Sequence, residues 1–161
     1  GKALTVNSAG TGLEYGNKVG FEMIKTSTTA GDANQNNYIR YDSVQFEIGG
    51  SGASPSTGIY IIPVDGLYHF NIDFTANGGD GGDDSIGVGF KIANNLYYNQ
   101  TPTSSTPFRI NPRYHTTPHH EHSYSFGKTA RLSQGATIGF YIVDWQSNPA
   151  LLGAHFSGFK I

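Results

Sequence analysis

The chain has 161 residues, no cysteine, 14% charged residues and a formal net charge of −2. That length suits one domain with one core. The absent cysteine removes disulfides, thiolate nucleophiles and cysteine-based zinc sites, and the small net charge gives no general drive toward nucleic acid or an anionic membrane.

Two further features of composition bear on class. No apolar run approaches the roughly 20 residues of a membrane span, and the first residues do not join a basic segment to an apolar one, so no secretory signal is expected there. Aromatic residues make up 13%, while charge falls well below the roughly one quarter of an ordinary soluble domain. Oligomerisation is expected to cover the excess apolar surface.

Gly1 to Lys18, rich in Gly, Ser and Asn, carries only Leu4, Val6, Leu13 and Tyr15 as apolar positions. It reads as an extended connector, or as the end of a stalk in which three chains share their few apolar residues. From Val19 the alternation is that of strands throughout. Phe21 to Ile24 predicts a first strand, followed by a polar loop over Thr26 to Asn37. Tyr38 to Ile48 predicts two short strands broken near Asp42-Ser43, and then a Gly/Ser/Pro loop runs from Gly49 to Thr57.

The most informative stretch is Gly58 to Phe74, GIYIIPVDGLYHFNIDF. A short β-branched run ends at Pro63, and Asp65-Gly66 supplies a tight reversal. Tyr68, Phe70, Ile72 and Phe74 then share one parity and His69, Asn71, Asp73 and Thr75 the other, which makes a strand with one core face and one polar face. Ser85 to Ile92 alternates likewise, with Gly87 and Gly89 opposite Ile86, Val88, Phe90 and Ile92, a place for close backbone approach. Leu96 to Tyr98 reads as a short strand, and Thr101 to His120 as one long loop. Glu121 to Leu132 resumes the alternation, a Ser-Gln-Gly turn follows, and Ile138, Phe140 and Ile142 face one way in a strand ending near Trp145. In the last segment Leu152, Ala154 and Phe156 share a parity that Phe159 and Ile161 break, so a bulge is expected at Ser157-Gly158. No segment has helical period, and no repeat of fixed length occurs.

Four of these segments, in order, resemble the C1q/TNF-like globular domain: Val44-Gln45-Phe46, Gly58 to Phe74, Leu132 to Gly135 leading into an apolar strand, and the terminal HFSGFKI. The resemblance implies an all-β, ten-stranded antiparallel jelly-roll sandwich over residues 19–161. It also implies a trimer, with aromatic side chains packed about the three-fold axis. Separately, TVNSAGTGLEYG within residues 1–18 resembles the segment that precedes the C-terminal head in phage tail-fibre and related virion fibre proteins. Together the two imply a trimeric fibre head, extracellular on the virion, without the collagen-like repeat of vertebrate members.

Candidate sites follow from loops and parity. The connections at Asn77 to Asp84, Thr101 to His120 and Trp145 to Gly153 are long and share one end, while the turns at Pro63 to Gly66, Ala93 to Asn95 and Ser133 to Ala136 share the other. Recognition is expected on the long-loop end, from Arg113, Tyr114, His115, His119, His120, Trp145 and Gln146, with a host-surface glycan or protein as receptor. Tyr97 and Tyr98 add flat faces suited to sugar rings. Asp80, Asp83 and Asp84 on a Gly-rich loop make either a calcium site or a solvated hairpin loop. The His115, His119, His120 and His122 cluster makes a transition-metal site, a proton-sensitive contact or a plain polar loop. Tyr60, Tyr141 and Phe159 are the candidates for the subunit interface. No placed carboxylate pair, Gly-x-Ser-x-Gly elbow, P-loop or His-Glu-x-x-His motif occurs, so no enzyme is expected. A structural trimerisation cap is the alternative reading, and a polysaccharide depolymerase tip is a third.

Overall fold

The computed structural model describes residues 3–6, 13–16, 18–30, 37–77, 85–93, 95–97, 108–110, 121–146 and 150–161. Among them there is no helix, and two antiparallel sheets hold most of the described residues after Val19. The first sheet runs in the order β13 (Glu121–Leu132), β9 (Gly66–Asn77), β15 (Ala150–Lys160), β3 (Gly20–Lys25) and β6 (Ser43–Ile48), with β4 (Thr29–Ala30) paired beside β15. The second runs β11 (Asn95–Tyr97), β10 (Ser85–Ile92), β14 (Thr137–Gln146), β8 (Ile59–Ile61) and β7 (Ala53–Ser54). Here β12 (Phe108–Ile110) joins β10, and β5 (Asn37–Tyr38) joins β14. The main paths hold five strands each, and consecutive described strands change sheet at β4 to β5, β5 to β6, β6 to β7, β8 to β9, β9 to β10, β12 to β13, β13 to β14 and β14 to β15.

The core is the aromatic layer between the sheets. Period-two alternation puts Phe21, Met23, Tyr68, Phe70, Ile72, Phe74 and Phe156 inward from the first sheet, and Tyr60, Phe90, Ile138, Phe140 and Ile142 inward from the second; all are buried. Rings meet across the gap: Phe21 stacks on Tyr60 with centroids 3.8 Å apart, and Phe74 meets Phe140 at 5.7 Å. Within the first sheet Phe156 stands edge-on to Phe21 at 5.0 Å. Such pairs add specific geometry to the burial of large apolar area.

Four details depart from the sequence expectation. The register slip of the last strand lies between Leu151 and Gly153, whereas pairing through Ser157 and Gly158 is regular. Gly158 holds the inward position itself, where a Cβ would come within 2.5 Å of the Phe70 ring and 2.7 Å of the Phe21 ring. The strand therefore keeps its parity with no side chain at that point, and Leu151 rather than Leu152 is buried. The region read as one loop from Thr101 contains β12, paired with Ile86 to Val88. The loop over Thr26 to Asn37 contains β4. Finally, the leader forms its own antiparallel hairpin, β1 (Ala3–Val6) with β2 (Leu13–Gly16), rather than a single extended segment.

Tyr60, expected at the subunit interface, is fully enclosed by its own chain at 0% exposure, so its side chain has no area to offer a second copy. Its position on a short strand next to Pro63 hid the fact that it continues the inward parity of Ile62. Burial, with Glu47 and Tyr68 as lesser contributors, pushes its hydroxyl pKa up. The hydroxyls of Tyr60 and Tyr41 are buried without a hydrogen-bond partner among the described residues, whereas the Tyr68 hydroxyl donates to the Val64 carbonyl at 2.8 Å. An unpaired buried hydroxyl carries its desolvation cost with nothing to offset it. Tyr60→Phe and Tyr41→Phe are therefore expected to leave stability unchanged or raise it by up to about 1 kcal/mol, and Tyr68→Phe to lower it by about 1 kcal/mol, in urea denaturation.

Candidate functional site

Hydrogen bonds fix which connections share an end. At one end, here called basal, Ile62 donates to Ala136 at 2.8 Å, Ala93 to Thr137 at 2.9 Å and Gln134 to the Asp65 carboxylate at 2.6 Å, which ties the three tight turns together. Asp65 is thus a turn former that also clips a second turn. The chain enters and leaves here too: Lys160 donates to the Val19 carbonyl at 2.9 Å and Ile161 to that of Leu67 at 2.8 Å. At the opposite, apical end Asn77 pairs with both Glu121 and Ala150, and Ser85 pairs with Gln146. The sorting of connections between two ends agrees with this register, but Trp145 to Gly153 is not a long connection: β14 runs to Gln146 and β15 starts at Ala150, so only residues 147–149 separate the strands.

Of the recognition candidates, Trp145 and Gln146 lie in the last two positions of β14, paired with Ile86 and Ser85 at the apical end. Arg113, Tyr114, His115, His119 and His120 lie outside the described residues, as do Asp80, Asp83 and Asp84. Their anchor points are described. The stretch holding the histidines departs from Ile110, beside Ile86, and re-enters at Glu121, beside Asn77; the Asp-rich stretch runs from Asn77 to Ser85. Both are bracketed by apical strand ends. His122 lies in β13, paired with Ala76.

Also at this end, Asp42 holds the turn after β3. Its carboxylate accepts from the Thr26 and Ser27 amides at 2.7 and 2.8 Å and from their hydroxyls at 3.1 and 2.7 Å, while the Lys25 ammonium donates to Ser27 Oγ at 3.1 Å. These bonds favour the ionised form and hold the Asp42 pKa far below the usual carboxylate range, the Ser27 hydroxyl contributing most. The sequence offered no sign of this clip, because the partners are 15 and 16 positions apart.

The outer face of the first sheet is divided along its height. Toward the base it carries Phe159, 54% exposed, Phe46 and Ile48, each 47% exposed, and Leu67 on β9. Phe46 and Phe159 flank Gly20, and with Ile48, Gly158 and the neighbouring Lys18 and Lys160 they line a groove of about 600 Å³. Toward the apex the same face is polar. His155 Nδ1 lies 3.5 Å from Glu22, Asn71 donates to Asp73 at 2.9 Å, and the Thr75 and Ser123 hydroxyls are 2.9 Å apart. Between the halves, His69 bonds the Thr129 hydroxyl at 2.9 Å and its ring lies 5.6 Å from that of Phe159. Large apolar side chains gathered on one face of a soluble domain mark a surface that another molecule covers.

Of the interface candidates, Phe159 stands on this face. Tyr141 stands on the outer face of the opposite sheet, paired with Tyr38 and Gly89. The two residues lie on opposite outer faces of the sandwich and so do not belong to one patch.

No family model and no curated protein matches the chain. Among solved structures, it is similar to the globular domain of the zebrafish complement 1qA protein, with a TM-score of 0.60 at 15% identity, over 89% of this chain and 97% of that chain. The likeness is one of fold: the chain has the C1q/TNF-like all-β sandwich.

The Asp42 clip carries a pH dependence. A carboxylate whose folded pKa is depressed contributes stability that is present above its unfolded pKa and lost as pH falls toward the folded one. The melting temperature is expected to decline below about pH 4, and Asp42→Asn is expected to flatten that decline while lowering the melting temperature at neutral pH. Calorimetry from pH 2 to 7 checks both.

Proposed function

We propose that the chain is the non-enzymatic, trimeric head of a phage or other virion fibre, and that it binds a host-surface receptor, a glycan in the first instance, through its apical connections. One observation carries the reading: the segregation of the two ends. The chain enters and leaves at the base, beside an exposed apolar groove, whereas the strand ends that bracket the long connections gather at the apex. A fibre head needs that polarity, with its self-association surface next to the shaft and its contact surface away from it. The leader's wording supports the fibre context, and the C1q-like fold supports a trimer whose contact centres on Phe159, Phe46 and Ile48. Aromatic anchors in a groove are the side chains that dominate association energy.

Two measurements test the proposal. Light scattering of the whole chain is expected to give three times the 17.3 kDa subunit mass. Phe159→Asp, which forces an unpaired charge into the contact, is expected to weaken assembly about tenfold or more; a monomeric wild-type chain would remove the trimer from the reading. For recognition, Trp145→Ala and His120→Ala are expected to lose binding on a glycan array and on host cells while keeping the trimer mass. Unchanged binding in every apical variant rejects the apical site. Particles that fail to assemble when residues 19–161 are deleted would instead favour a trimerisation cap, which the apolar groove supports equally well. Release of soluble fragments from host polysaccharide would favour a depolymerase.

A further inference from the structure

The outer face of the second sheet carries a cluster that the apical reading does not use. Phe140 and Ile142 on β14 and Phe90 and Ile92 on β10 are buried, so the residues between them, Tyr141 and Lys91, stand on the outer side. Tyr38 on β5 is paired directly with Tyr141. The two phenol rings meet edge to face, with centroids 5.2 Å apart and planes at 84°. The Lys91 ammonium lies 4.3 Å from the centre of the Tyr141 ring and 5.5 Å from that of Tyr38. Glycine makes the arrangement possible: a Cβ on Gly139 would come within 2.5 Å of the Tyr38 ring, so that ring lies over bare backbone.

Each part of this cluster has a recognition chemistry. The apolar faces of tyrosine rings suit the C–H side of a pyranose, and their hydroxyls donate to and accept from sugar hydroxyls. Desolvation, with Tyr141 as a second cause, pushes the Tyr38 pKa up, so its hydroxyl stays a donor. Lys91 meets no carboxylate within ion-pair distance among the described residues, and its ammonium lies against the two rings. An ammonium held against aromatic faces keeps its charge available and has already given up part of its water, which lowers the cost of meeting an anion. One cation matches one carboxylate, and the chain's net charge of −2 disfavours a polyanion that needs several.

We infer that Tyr38, Tyr141 and Lys91 form a shallow flank subsite for an acidic sugar, a pyranose bearing one carboxylate. The inference rests on the reading of the chain as a glycan-binding head, and it names the sugar class and a second place of contact, on the side of the sandwich rather than its apex. It also gives Tyr141 a role other than subunit contact.

The test uses the whole chain and free sugars, so it does not depend on the apical site or on host cells. Methyl glycosides of glucuronic, galacturonic and sialic acid are titrated in parallel with their methyl esters, with NMR shifts of the Tyr38 and Tyr141 ring protons as the readout. The acids are expected to shift both rings, and the esters to bind about tenfold more weakly. Among the three acids, the strongest shift identifies the source. Lys91→Gln is expected to bring the acid down to the affinity of its ester with the trimer mass and melting temperature unchanged, and Tyr141→Ala to lose both ligands. Raising salt to 0.5 M is expected to weaken the acid and spare the ester. Equal binding of acid and ester, or a Lys91→Gln variant that binds the acid like wild type, overturns the inference and leaves the apical reading standing. Lost host binding in Trp145→Ala and His120→Ala, with the ring shifts intact, separates the two sites in the other direction.

Discussion

The meeting of aromatic rings between the two sheets decides everything else in this molecule. Phe21 against Tyr60, Phe74 against Phe140 and Phe90 against Phe156 lock the inward parity of six strands at once. Because a strand's side chains alternate strictly, fixing the inner set also fixes the outer set, with no freedom to slip by one residue. Phe159, His155 and Ser157 stand outside because Phe156, Ala154 and the bare Gly158 are inside. The two outer faces are therefore by-products of one packing decision, and each becomes a surface with its own chemistry.

Those faces differ in kind. The first sheet's outer side is apolar near the base and hydrogen-bonded near the apex. The second sheet's outer side combines small residues with two tyrosines and a lysine, and with Ile61, 47% exposed, on β8. The Asp42 clip and the Asp65 bridge serve as fasteners at opposite ends, each tying a turn to a residue far away in sequence.

How much of this could be read from the chain alone follows from the range of the forces involved. Period-two patterning is local, so β3, β9, β10, β13 and β14 were readable, as was the sorting of connections between two ends. The last strand was misread because Gly158 leaves no side chain to reveal its parity, and the missing signal looked like a slip. Tyr60 was misassigned because three residues are too few to separate faces by pattern. β12 and β4 were missed because two- or three-residue strands gain their pairing from a neighbour rather than from their own composition. The Tyr38, Tyr141 and Lys91 cluster joins three strands far apart in sequence, so only the register brings it together. The histidine and aspartate stretches lie outside the described residues, between strand ends tied at Ile110 and Glu121 and at Asn77 and Ser85.

The place of β15 in the first sheet has a consequence for how the chain is made. It lies between β9 and β3 and pairs with both along most of its length, yet of the sandwich's described strands it is the last to be synthesised. Until it is in place, those two strands face each other across a gap one strand wide, with open edges that any extended segment of another chain can fill. The sandwich therefore closes only after translation has passed Lys160. The interval before closure is when nascent chains on neighbouring ribosomes are most prone to exchange strands.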